Sequence, residues 1–72
     1  MKFKERLRYL RKLKGVSQQQ VANHLDYGYS AISNYEGGRC EPSIADLIKL
    51  ANFFEVSVDY LVGNSDIMTK QM

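Results

Sequence analysis

The stretch Ser17–Pro42, SQQQVANHLDYGYSAISNYEGGRCEP, decides the fold of this 72-residue chain. Ser17 and Gln20 form a capping box, in which the serine hydroxyl and the glutamine side chain satisfy backbone N–H groups at a helix start. Val21, Ala22 and Leu25 follow as an apolar stripe at helical spacing. Asp26 falls at the turn, where a left-handed backbone is expected and aspartate tolerates it better than most non-glycine residues. A second helix starts near Gly28 or Tyr29. Ala31, Ile32 and Tyr35 share one side of it, and Tyr29, Ser30, Ser33 and Asn34 share the other. Gly37–Gly38 stops that helix, and a basic loop with Arg39 follows.

A capped helix, a tight turn and a second helix with a polar outer face make a helix-turn-helix, a device that sets one helix in the major groove of DNA. The flanking sequence supplies three more helices. Helix 1 runs from about Lys2 to Lys14, with Phe3, Leu7, Tyr9, Leu10 and Leu13 on its apolar side. Lys4, Glu5, Arg8, Arg11 and Lys12 lie on the other side, and Gly15 ends it. Helix 4 runs from Ser43 to about Phe54 and is apolar around most of its circumference, which predicts the central helix of the core. Helix 5 is capped by Ser57, has Asp59 in its first turn, buries Val58, Leu61 and Val62, and ends at Gly63. Tyr35, Phe54 and Tyr60 take core positions. Phe53, among Asp46, Lys49 and Asn52, is expected half-exposed, in a dimer contact or covering the core against helix 5 or the tail. The expected fold is all-α, with one domain over residues 1–63 and a tail over 64–72 that frays or joins a dimer contact.

The net charge of +2 conceals an asymmetry. Residues 1–14 carry seven basic side chains (Lys2, Lys4, Arg6, Arg8, Arg11, Lys12 and Lys14) against Glu5 alone, while the remainder carries three against seven acidic ones. A basic end on a nearly neutral chain suits a polyanion; the alternative is a solvated helix face. Cys40 is the single cysteine, so no internal disulfide forms, which fits a reducing cytoplasm. No apolar run approaches the roughly 20 residues of a membrane span, and the basic N-terminus lacks the apolar stretch of a signal peptide. There is no carboxylate dyad, nucleophile–base pair, metal-ligand cluster or phosphate-cradling loop, so neither enzyme activity, cofactor, metal nor small-molecule ligand is expected. His24, distant from Cys40, reads as a surface histidine.

Binding to DNA divides into phosphate contacts, which set affinity and register, and base contacts, which choose sequence. Asn34 can pair with adenine through two hydrogen bonds, Ser30 and Ser33 can bond bases or phosphates, and Tyr29 can reach a phosphate or a thymine methyl. The alternative for all four is a polar face in water. Such faces usually carry charge, and the lack of Lys and Glu here suits close approach to a partner. Gln18, in the first turn of helix 2, and Arg39, in the loop, suit phosphate; their alternative is ordinary solvated surface.

RLRYLRKLKGVSQQQVANHL, then AISNYEGGRCEPS, then LIKLANFFEVSVDYLVG, in that order and spacing, resemble the Cro/C1-type, or XRE-type, helix-turn-helix regulators of bacteria and phages. The resemblance covers residues 3 to 63. It implies a compact five-helix, lambda-repressor-like domain whose third helix reads operator DNA, and a transcriptional regulator that works as a homodimer. By position, it gives Gln18, Gly37, Gly38 and Arg39 phosphate contacts and Tyr29, Ser30, Ser33 and Asn34 base or adjacent phosphate contacts. Arg11 and Glu36 match a charged pair tying helix 1 to the end of helix 3. The chain departs from the pattern at Asp26 and Glu55, where glycine is common, and at Gly28, where a Ser or Thr cap is common. The leading expectation is a repressor of double-stranded DNA on a palindromic operator, with a dimer surface on helix 5 and the tail that includes Leu61, Val62, Ile67 and Met68. The alternative is a protein-interaction module of the same fold, an antitoxin or an antagonist of another regulator.

Overall fold

Five helices form in the order read from the sequence: α1 Phe3–Lys14, α2 Gln18–His24, α3 Tyr29–Glu36, α4 Ile44–Phe54 and α5 Val58–Leu61. They are seen in a computed structural model that describes residues 3–68, and no strand occurs among the described residues. Three helices start on a serine. The hydroxyls of Ser17, Ser43 and Ser57 accept from the backbone N–H of Gln20, Asp46 and Tyr60. At Ser17 the box is reciprocal, because its own N–H donates to Gln20 Oε1 at 2.7 Å.

All five helices stop in one way. A backbone N–H reaches back five residues to a carbonyl, in the pairs Val16–Arg11, Tyr27–Ala22, Arg39–Asn34, Val56–Ala51 and Asn64–Asp59. This closure requires a left-handed residue just before the donor. Glycine supplies it three times, and Asp26 (φ 62°) and Glu55 (φ 58°) supply it after α2 and α4. Each non-glycine residue held there costs about 1 kcal/mol. The helix-turn-helix corner and the α4–α5 corner therefore exist because the packing around them outweighs that strain.

The core draws on every helix. Leu7, Val21, Ala22, Ile32, Leu50 and Leu61 are wholly inaccessible, and Leu10, Tyr35, Ala51, Phe54, Val56 and Tyr60 complete the buried cluster with Leu25. Three expectations change. Leu13 (63 % exposed) and Tyr9 (48 %) lie outside the core, because the inward side of α1 is centred on Leu7 and Leu10. α4 is not buried all round: Ile44 and Ile48 are exposed, and burial is confined to Leu50, Ala51 and Phe54 in its second half. In α5, Tyr60 and Leu61 are buried, while Val58 is exposed and Val62 only partly covered.

Arg6 is buried on α1, only 5 % exposed. Its Nη1 donates to the carbonyls of Tyr60 and Ser65, both at 3.0 Å, and its Nη2 to Asp66 Oδ1 at 2.9 Å. The guanidinium also stacks 4.0 Å from the centre of the Tyr60 ring. The Ser57 N–H donates to the Met68 carbonyl, and the Ser57 hydroxyl to that of Ile67. The tail is therefore bonded to α1 and to the start of α5 as far as Met68; residues 69–72 lie outside the described residues.

Arg6→Ala removes both carbonyl bonds and the stacked cation, so it should cost about 3 kcal/mol in urea unfolding. Asp66→Ala should cost less than about 1 kcal/mol, because that carboxylate is almost fully in water.

Candidate nucleic-acid interface

An eight-residue helix such as α3 has little stability of its own and takes its direction from what holds it. It is held at both ends. At its C-terminal end the Glu36 carboxylate is nearly buried. Arg11 grips it with two parallel bonds, Nε to Oε2 at 2.6 Å and Nη2 to Oε1 at 3.1 Å, and Gln18 Nε2 adds a third at 3.2 Å. Arg11 Nη1 also donates to the Val16 carbonyl at 3.1 Å. One guanidinium thus joins α1, the α1–α2 connection and α3.

At the other end, Tyr27 just before α3 donates its hydroxyl to Asp46 Oδ1; Tyr35, beside Glu36 at the C-terminal end, donates to Oδ2 of the same carboxylate at 3.2 Å. The Asp46 backbone N–H is bonded to Ser43, and the Lys49 ammonium lies 5.7 Å from the centre of the Tyr27 ring. The Tyr27 hydroxyl bond, with smaller help from Tyr35, Ser43 and Lys49, holds the Asp46 carboxyl below the usual carboxylate range even though burial opposes it. Burial, and then the Asp46 carboxylate, push both phenols above their ordinary range, so each remains a donor. No spacing in the sequence points to this clasp, because its members are 19 and 11 residues apart.

Ile32 and Tyr35 anchor α3 in the core. Ser30 is exposed, and Ser33 and Asn34 are partly exposed. The side chain of Tyr29 lies outside the described part of the structure. Beyond α3, Arg39 folds back over Gly37. A Cβ at Gly37 would lie 3.0 Å from Arg39 Nη1 and 3.2 Å from the Ser33 carbonyl oxygen. Gly38 (φ 75°) has the Lys4 side chain against it, with Cδ 3.2 Å and Nζ 3.4 Å from where its Cβ would be. Arg8, Arg11, Gln18, Ser33, Glu36, Gly37 and Arg39 line one polar cleft. Helical spacing alone puts Lys4, Arg8 and Arg11 on one face; the structure adds that this face meets the loop after α3.

Among the dimer candidates, Leu61 is wholly buried beneath the helices and offers no outer surface. Ile67 is exposed, and Val62 and Met68 are partly covered. Phe53 is partly buried, with its ring 4.5 Å from His24 and 4.9 Å from Phe54. It therefore covers the core on the α2 side. His24 and the Cys40 thiol are exposed. Among the described residues, no group of three His, Cys, Asp or Glu side chains could hold a metal, and no helix is long and apolar enough to cross a membrane.

A short helix with a neutral outer face, braced at both ends and flanked by basic side chains, defines a helix-turn-helix of the DNA-reading type. The helix-turn-helix family model matches residues 7–61, and the chain belongs to the Cro/C1-type, or XRE-type, family of DNA-binding transcriptional regulators. It is 36 % identical over 70 residues to the HTH-type transcriptional regulator ImmR of Bacillus subtilis, covering 97 % of this chain and 55 % of ImmR. It is also 36 % identical over 63 residues to the cryptic phage CTXphi transcriptional repressor RstR of Vibrio cholerae, covering 88 % of this chain and 56 % of RstR. The structure resembles that of the P22 c2 repressor solved in complex with a synthetic operator. The TM-score is 0.83 at 28 % identity, over 90 % of this chain and 98 % of that one. The chain spans about half the length of the curated relatives it matches.

Because the Asp46 carboxyl is held low in the folded state, its contribution to stability is present above the ordinary carboxylate pKa and lost as pH falls through the folded value, below about pH 4. Asp46→Asn should lower stability at neutral pH and flatten the acid limb of stability against pH, read by urea unfolding along a pH series.

Proposed function

We propose that this chain binds double-stranded DNA sequence-specifically as a homodimer and represses transcription from a palindromic operator, with α3 in the major groove. The observation that carries this reading is the uncharged outer face of α3, held at fixed orientation by Arg11–Glu36–Gln18 and Tyr35–Asp46 at its C-terminal end and by Tyr27–Asp46 ahead of its N-terminus. Ser30, Ser33, Asn34 and Tyr29 are the base-reading or adjacent phosphate-contacting set. Gln18, Gly37, Gly38 and Arg39 serve the phosphate backbone. One Gln18 N–H is spent on Glu36, which leaves its second amide N–H for a phosphate. The likeness to the P22 c2 repressor solved with a synthetic operator and to the repressor RstR supports the DNA-binding reading.

Each copy carries one helix-turn-helix, α2 and α3, and reads one half-site, so two copies are needed for a palindrome whose half-sites lie roughly 34 Å apart. The dimer surface proposed combines Tyr9 and Leu13, one turn apart on α1, with Ile67 and Met68 of the tail. Leu13 and Met68 line one shallow groove with Leu10, Phe54 and Val56. By helical spacing, Tyr9 and Leu13 face away from Lys4, Arg8 and Arg11, so pairing leaves the DNA-facing side open.

Selection of bound duplexes from a random pool should return two inverted half-sites centred about one helical turn apart. Recovery of no preferred duplex overturns the proposal. Asn34→Ala should relax one base preference in each half-site and weaken that site by about 1–3 kcal/mol; an unchanged base profile removes Asn34 from the readers.

Leu13→Glu should shift sedimentation toward monomer and weaken binding to the two-half-site duplex more than to a single half-site. Its melting should barely change, because Leu13 is already mostly in water. A dimer unaffected by the substitution places the contact elsewhere.

A further inference from the structure

We infer that Lys4 and Arg8 of α1 form a second DNA-phosphate contact that works together with Arg39, an inference that rests on the DNA-binding reading. Neither side chain belongs to the helix-turn-helix segment. Yet the Lys4 side chain lies along Gly38, and Arg8 lines the cleft that also holds Arg39, Gln18 and Ser33. Three cationic side chains from two distant parts of the chain thus converge on one side of the loop after α3.

The ion pairs seen among the described residues, Arg6–Asp66 and Arg11–Glu36, do not include Lys4, Arg8 or Arg39. The two Glu36 oxygens already accept from Arg11 and Gln18. Lys4, Arg8 and Arg39 are all exposed. On α1, Lys4 and Arg8 are one turn apart, with about 5–6 Å between their Cβ atoms, so the two heads present a short cationic row rather than a single point. Bare backbone at Gly37 and Gly38 lets Arg39 and Lys4 lie close to the chain there; a side chain at either position would crowd them. A row of exposed cations over a closely approachable backbone suits the phosphates of a DNA strand, and it lies beside the face of α3 assigned to the bases. Lys14 is the contrasting case on the same helix, with its ammonium 5.3 Å from the centre of the Phe53 ring and away from this cleft.

Counterion release gives the test. Removing one phosphate contact reduces the slope of log affinity against log salt by about 0.9. The full chain is titrated against a short duplex of mixed sequence across a salt series, and against a selected duplex where one is in hand. Lys4→Ala and Arg8→Ala should each weaken binding about five- to tenfold at about 0.1 M salt, by a similar factor on both duplexes, and each should flatten the slope by about 0.9. Lys14→Ala should leave the slope unchanged, and circular dichroism and melting should show all three variants folded. A wild-type slope retained by Lys4→Ala and Arg8→Ala overturns this inference while leaving the DNA reading in place. An equal flattening of the slope by Lys14→Ala overturns it too, because it shows a diffuse charge effect and no site. Failure of the wild-type chain to bind either duplex overturns the DNA reading itself.

Discussion

The rest of the structure depends on a nearly buried carboxylate. Glu36 terminates α3 inside the molecule, where an ionised group is expensive unless its oxygens are fully bonded. Arg11 and Gln18 supply three N–H groups to it, and Arg11 also holds the Val16 carbonyl. The arrangement ties α1, the first residue of α2 and the last of α3 at one point. A buried pair of this kind adds little net stability over apolar packing. It does penalise any displacement of α3 along or around its axis, because a shift of one residue would leave a charge unpaired. For a helix whose outer face must meet a partner in register, that penalty is the useful property.

Asp46 completes the constraint from α4. It is a carboxylate on α4 that receives two phenol hydroxyls, one from just before α3 and one from within it. The two carboxylates differ in what they resist. Glu36 is locked by a guanidinium with planar, two-point geometry, and Asp46 by two neutral donors whose rings also fill space beside the core. Between them, the outer residues of α3 need no charge of their own to hold position. This accounts for the uncharged Ser30–Asn34 surface and lets the basic side chains gather outside it.

Much of the fold is legible in the sequence because its signals are local. Serine caps, the left-handed stops at Gly15 and Asp26, and the inward set Ile32 and Tyr35 all follow from interactions within a few residues. The Arg11–Glu36 pair is legible only through resemblance. What stays hidden depends on which faces meet. Arg6 sits at helical spacing among the apolar residues of α1, and that position signals burial. Its charge argues the other way, and the carbonyls that offset burial come from residues 60 and 65. Leu61 reads equally as core or as dimer surface because α5 is only one turn long, too short for periodicity to separate its sides. The Tyr27–Asp46 clasp joins the α2–α3 turn to α4 with no shared spacing.

These cases converge on α1, which divides its twelve residues among four tasks by rotation alone. Leu7 and Leu10 enter the core, Arg6 secures the tail, Arg11 braces α3, and Tyr9 and Leu13 remain outside. Lys4 and Arg8 lie on the Arg11 side, against the loop that follows α3. Adjacent residues therefore answer to different neighbours, and charge in this segment cannot be treated as one quantity. Of its arginines, Arg6 and Arg11 are committed to internal carbonyls and carboxylates. The excess of positive charge that suggests a polyanion partner is smaller in the folded molecule than in the sequence, and more localised. That localisation favours a defined contact over a general attraction, since the cations left exposed beside α3 are the ones whose position the Glu36 brace also sets.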